Sequence, residues 1–150
     1  MTSNEVRIDR HGPGDRDAAR RTFELLTEVF EAHGEPLSDG YIDRLVGRPD
    51  LWVLTATVGG RIVGGLTAHE LLMTRNESVE LFIYDLAVHP GHQRRGIGRR
   101  LVETALGRAA ARGIECTFVP ADDDDAHALA FYRALGGASS PVTFFQFGPT

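Results

Sequence analysis

The stretch Tyr84–Leu101, YDLAVHPGHQRRGIGRRL, decides how the chain is read. An apolar, strand-like run breaks at Pro90, passes Arg94-Arg95 and reaches Gly96 and Gly98 before Arg99-Arg100. Ile97, Leu101, Val102, Ala105, Leu106 and Ala109 then recur at helical spacing, and Gly113 follows as a stop. A helix start leaves backbone N–H groups without partners and carries roughly half a positive charge. Phosphate oxygens bind readily there, and Gly96 and Gly98 bring no Cβ to block the approach. Arg94, Arg95, Arg99 and Arg100 repel one another until a polyanion docks. The loop therefore reads as a pyrophosphate site, against the plainer reading of a tight turn with a solvated arginine face. A dinucleotide fingerprint needs a third glycine where Leu101 stands, and a P-loop needs a lysine, which this chain lacks.

Outward from this loop the elements follow in order. A first strand is expected over Val6–Asp9, then a helix starting at Asp15 and ending at Gly34. Ser38 is placed to cap a short second helix. LWVLTATV and RIVGGLTAHELL read as strands joined at Gly59-Gly60, a two-residue hairpin signal. VELFIYDLAV is a third long strand, IECTFVP a short buried one, and VTFFQF a last aromatic strand. Asp124 or Asp125 caps a helix through AHALAFYRALGG. The pattern is α+β around one mixed sheet, with strand–helix–strand crossovers in the second half.

The 150 residues read as one domain, 1–150, and the composition is that of a soluble globular protein. A net charge of −5 argues against general nucleic-acid binding. The charge is polarised: residues 92–112 hold six arginines and one acid, whereas 122–125 is DDDD. One region suits an anion, the other a cation. The polar start carries no apolar run, and no stretch approaches the roughly 20 apolar residues of a membrane span. A cytoplasmic protein with no membrane partner is expected. Cys116, the single cysteine, excludes an internal disulfide and reads as core. The six histidines show no metal-ligand spacing and read as incidental, so no metal is expected.

QRRGIG, residues 93–98, resembles the Q/R-x-x-G-x-G/A signature of the GCN5-related N-acetyltransferase (GNAT) superfamily. The preceding LAV resembles that family's strand end, and ALAFYRALGG its later helix motif. With PADDDDAHALAFYRALG, the stretch ELFIYDLAVHPGHQRRGIG is most similar to aminoglycoside 3-N-acetyltransferases. The resemblance implies a mostly antiparallel sheet with a splayed parallel strand pair, flanked by about four helices. It also implies acetyl-CoA as co-substrate.

Residue by residue, the resemblance gives Leu86, Ala87 and Val88 the pantetheine arm, through backbone pairing. Gln93, Arg94, Arg95, Gly96, Ile97, Gly98 and Arg99 take the pyrophosphate. Acetyl transfer to an amine needs a base, a polarised carbonyl and a proton for the departing thiolate. Asp85 is the first candidate base or substrate anchor, with Tyr84 beside it, and Glu80 is the second. An offset of five along a regular strand points Glu80 and Asp85 to opposite faces. Tyr132 matches the family tyrosine that protonates the thiolate, or is core at helical spacing. Asp122, Asp123, Asp124 and Asp125 cap a helix or bind a polycation. By analogy Glu31 and Glu35 add to that acidic rim. The expected activity is acetyl-CoA-dependent N-acetylation of a small polycationic amine, an aminoglycoside first, conferring antibiotic resistance. Another polyamine, a protein amine or a non-catalytic acyl-CoA sensor are the rivals. A homodimer through VTFFQF is a further expectation.

Overall fold

The computed structural model describes residues 5–149; residues 1–4 of the polar start, and Thr150, lie outside the described residues. Two compact units divide the chain, one reaching to Pro120 and the other beginning at Ala121. The first holds β1 (Val6–His11), α1 (Arg16–Val29), α2 (Asp39–Val46), β2 (Leu51–Val58), β3 (Arg61–Leu72), β4 (Val79–Val88), α3 (Ile97–Ala111) and β5 (Cys116–Phe118). The second holds α4 (Ala126–Ala134). The strands lie in chain order in one sheet, antiparallel except for the parallel β4–β5 pair. This is the GNAT-type mixed sheet that the sequence implies.

The β2–β3 hairpin turns at Gly59 and Gly60, both left-handed at φ 55° and 79°, which two non-glycine residues would resist. Two more glycines set the layers. A Cβ on Gly65 would stand 2.6 Å from Thr22 Cγ2 of α1, and one on Gly64 3.2 Å from Leu101 Cδ1 and 3.3 Å from Ile97 Cγ2 of α3. Gly64 and Gly65 thus mark opposite faces of β3, one against α3 and one against α1. Both helices come close because neither glycine has a side chain to hold them off.

The core between these layers is Trp52, Leu54, Leu66, Leu81, Ile83, Ile97 and Leu101, all fully buried. Each such aliphatic side chain contributes about 1.5–3 kcal/mol by leaving water. Trp52 donates Nε1–H to Glu70 Oε2 at 2.8 Å, and Arg112, just past the end of α3, closes on the same oxygen at 2.6 Å. The buried hydroxyls of Thr22 and Thr55 pair at 2.7 Å, so neither is left unsatisfied.

Several expectations are corrected. β1 runs on to His11, because its pairing with β2 continues through His11↔Val53. α1 ends at Val29 rather than Gly34, and the chain breaks away at Glu31 with φ 52°. Glu31 and Glu35 are thus exposed in irregular chain. Asp15 precedes α1, but its carboxylate accepts from Gly12 N–H at 2.9 Å instead of a helix amide. Ser38 does cap α2, accepting from Tyr41 N–H. β5 has only three residues, and Cys116 in it is exposed, not core. VTFFQF forms no strand, and Phe144 and Phe147 stand 78% and 97% exposed. Its β-forming composition has no neighbouring ladder to join within its own unit, and propensity alone does not make a strand.

Candidate active site

Beyond Val88, His89 N–H still reaches Val63 O at 2.7 Å, and a short turn over Pro90–His92 then lifts the chain out of the sheet. Arg94 and Gly96 both adopt left-handed backbone, at φ 63° and 76°. For arginine that conformation is strained by about 1–2 kcal/mol. At Gly96 nothing lies within 4 Å of where a Cβ would stand, so the angle, not crowding, selects glycine there. α3 starts at Ile97 with no side-chain cap. Arg100 N–H is the first to close on the helix, onto Gly96 O at 3.0 Å. The amides of Ile97, Gly98 and Arg99 therefore precede the helical ladder. Ile97 is buried and anchors the turn, so those amides are held in place.

The four arginines are not equivalent. Arg99 is paired with Glu103 at 2.6 Å, and Arg100 donates to Val6 O at 2.7 Å. Arg94 and Arg95 are exposed, with no ion pair among the described residues. Among the described residues, of these four only Arg94 and Arg95 are free to meet an anion, as the sequence led us to expect of all four. Gln93 is also engaged, donating Nε2–H to Val88 O at 3.0 Å. That carbonyl, expected to pair with pantetheine, already has a donor.

β4 is paired on both sides only over its first half. Its ladder with β5 runs from Glu80↔Cys116 to Phe82↔Phe118 and stops, whereas Leu86, Ala87 and Val88 pair only with Leu66, Gly65 and Gly64 of β3. The outer half of β4 thus turns one edge of backbone groups away from the sheet. Together with the bare amides of α3, that edge fits a long thiol arm ending in a diphosphate.

The two candidate acids share a face. The β3–β4 register slips between Thr67 and Ala68, so Tyr84 is an extra, bulged residue. Glu80 lies opposite Leu71 and Asp85 opposite Thr67, positions four apart on β3 and so on one side of the sheet. The bulge overturns the opposite-face expectation, which assumed an unbroken strand. Asp85 is half-buried, and burial pushes its carboxyl above the usual carboxylate range, while His69 pulls the other way. Around it is a ring cluster that the sequence reading missed. His69 meets Tyr84 edge-on at 5.5 Å, Phe82 meets Tyr84 at 5.6 Å, and Phe118 stacks on Phe82 at 5.1 Å. Tyr84 is 62% exposed. Alternation along RIVGGLTAHELL and VELFIYDLAV was legible, but only the register between the two strands makes His69 and Phe82 partners on one face.

Residues 19–136 match the sequence profile of the acetyltransferase (GNAT) family. The chain belongs to that family. Two relatives of known structure are aminoglycoside acetyltransferases from uncultured soil metagenomic samples. One, in complex with sisomicin, is 30% identical, with a TM-score of 0.92 and 97% of each chain covered. The other is 32% identical, with a TM-score of 0.91 over 97% of this chain and 99% of that one. The N-alpha-acetyltransferase RimI of Mycobacterium tuberculosis is 33% identical over 121 residues, 81% of this chain and 73% of that protein.

In the second unit of this acetyltransferase, Asp125 caps α4, accepting from Ala128 N–H at 3.0 Å. Asp122, Asp123 and Asp124 are exposed. Asp122 uses its backbone carbonyl, not its carboxylate, to accept from Asp125 N–H at 3.0 Å. Three carboxylates thus remain beyond what the cap needs. Tyr132 is half-buried, and burial, then Asp125, push its phenol up, so it stays protonated at neutral pH. α4 ends where Gly136, at φ 94°, turns the chain and Gly137 N–H bonds Tyr132 O at 3.0 Å.

Proposed function

We propose that this acetyltransferase moves acetyl from acetyl-CoA to a primary amine of a small polycation, an aminoglycoside, at its 3-amino group. The observation that carries the reading is Asp85, a half-buried carboxylate at the bulge of β4, on one face with Glu80 and beside the strand's open edge. The resemblance of this chain to aminoglycoside acetyltransferases over nearly its whole length supports the acceptor class.

Acetyl-CoA supplies the activated acetyl thioester. The Ile97–Arg99 amides with Arg94 and Arg95 bind its diphosphate, and the free backbone edge at Leu86 orients the arm. An acceptor ammonium has a pKa of about 10 and cannot attack until it loses a proton. Asp85 takes that proton; the N–C bond forms as the C–S bond breaks, and the departing thiolate is protonated to the free thiol, the step for which the family resemblance offers the Tyr132 phenol. Removing one cationic amine weakens an aminoglycoside's hold on anionic targets, so the cellular outcome is drug resistance in the cytoplasm. A protein N-terminal amine is the second reading, favoured by the RimI relative.

The test is thiol release from acetyl-CoA with gentamicin, spermidine and an alanine-ended peptide, with product mass and regiochemistry read by mass spectrometry and NMR. Gentamicin is expected to give the highest kcat/KM. A preference for the peptide would overturn the acceptor assignment. Asp85→Asn is expected to lower kcat by about 10²–10⁴-fold with KM for acetyl-CoA unchanged. The raised carboxyl of Asp85 must be ionised to act, so wild-type kcat/KM is expected to climb with pH through a midpoint above the ordinary aspartate value. That limb should vanish in the variant.

A further inference from the structure

Besides the Tyr84 phenol, His69 is the titratable group in the ring cluster that the transfer reaction does not yet use. Its ring is partly buried, set tilted against Phe82 at 6.4 Å and edge-on to Tyr84 at 5.5 Å. Neither ring nitrogen takes part in a hydrogen bond among the described residues, and neither is sealed from solvent. A histidine serving only as packing needs no particular neighbour. This one lies on the face that carries both candidate acids. It is opposite Phe82 in the register, and Thr67, two residues earlier on β3, is opposite Asp85. Diagonal neighbours in an antiparallel pair are about 7–8 Å apart, within reach of long side chains or of one bridging water.

The charged and titratable groups facing His69 are few. From the start of β2 there is Asp50, already held by Arg48 at 2.8 Å. From β4 there are Asp85, Glu80 and the phenol of Tyr84. Of the carboxylates, Asp85 is the one that burial pushes above the usual carboxylate range, with His69 pulling the other way. A base that stays protonated blocks the next turnover, and histidine is the side chain that ordinarily gains and loses a proton near neutral pH.

We propose that His69 is a positioning residue acting through Asp85: it drains to solvent the proton that Asp85 removes from the acceptor ammonium. The balance is simple. The ammonium gives H⁺ to the Asp85 carboxylate, leaving a neutral amine. The Asp85 carboxylic acid passes that H⁺ to a neutral imidazole nitrogen of His69, restoring the carboxylate. The imidazolium then releases H⁺ to bulk water. No oxidant or further reactant is needed. The role rests on the amine-acetylating reading above, but the coupling of His69 to Asp85 does not.

Two measurements separate the two. Carbon-13 NMR of the Asp85 carboxyl, on protein without acceptor, is expected to show its titration midpoint moving up in His69→Phe, because the imidazolium that favours the carboxylate is gone. An unmoved midpoint overturns the coupling whatever the enzyme acetylates. In turnover with the best amine, His69→Phe keeps the ring packing and is expected to lower kcat at least tenfold, with KM for acetyl-CoA unchanged. His69→Ala should lose as much and recover most of it with added imidazole. Full activity in His69→Phe, or a loss in His69→Ala that imidazole does not restore, reduces His69 to a packing residue. If wild-type protein acetylates no amine while the NMR midpoint still moves, the amine-acetylating reading falls and the coupling stands.

Discussion

The α3 and α4 helix starts are built in opposite ways. α4 opens on Asp125, whose carboxylate satisfies an amide of the first turn. α3 opens on a left-handed glycine that satisfies none, after a strained Arg94. A capped start is finished within the chain. An uncapped one, with Arg94 and Arg95 in no ion pair among the described residues, is the arrangement that suits an anion. The same contrast holds in charge: six arginines around α3 against four consecutive aspartates before α4. One helix start is therefore complete within the chain and the other leaves its first amides open, though both look alike as turn–helix boundaries in the sequence.

Exchanging their chemistry is the severest test. Gly96→Asp puts a carboxylate where the diphosphate is proposed to dock and forces a side chain into left-handed backbone. Coenzyme A affinity, followed by calorimetry, is expected to fall by about 100-fold or more, that is about 2.7 kcal/mol. The strain itself should cost only about 1–2 kcal/mol of fold stability. Unchanged affinity would mean the bare amides of α3 do nothing for the cofactor.

A smaller effect is expected from the surplus acids. Replacing Asp122, Asp123 and Asp124 by asparagine leaves the Asp125 cap in place. KM for a polycationic acceptor should rise by roughly tenfold at low ionic strength and by less at 0.15 M salt, where charges are screened beyond about 8 Å. If KM holds and the melting temperature drops instead, these acids are helix-stabilising only. Smallest is Asp125→Ala, expected to remove about 1 kcal/mol of stability in urea unfolding while leaving KM for acetyl-CoA unaltered. A rise in that KM would erase the contrast between the two helix starts.

Much of this was readable in the sequence because the signals are local. Gly59-Gly60 fixes its hairpin by backbone freedom, Ser38 and Asp125 announce their helices by a side chain that reaches three residues on, and the QRRGIG loop carries its own steric logic. What was hidden depends on partners far along the chain. Nothing in VELFIYDLAV marks Tyr84 as an inserted residue; only the register against β3 shows it. Arg99 and Arg100 looked free because Glu103 is only one of their two partners, and the other, Val6 O, lies 94 residues away. Cys116 looked buried and VTFFQF looked like a strand because of their apolar, β-forming surroundings, but burial and pairing depend on what stands opposite. His69 was overlooked for the same reason, since its neighbours come from another strand.

The bulge at Tyr84 also makes the outer half of β4 an easy target for change. Deleting a single codon there would return the strand to plain alternation. With Tyr84 gone, Glu80 and Asp85 would be an even four residues apart, so both carboxylates would keep the face they share with His69. The acid-bearing face of this strand can therefore be reached with two chain lengths, one bulged and one straight.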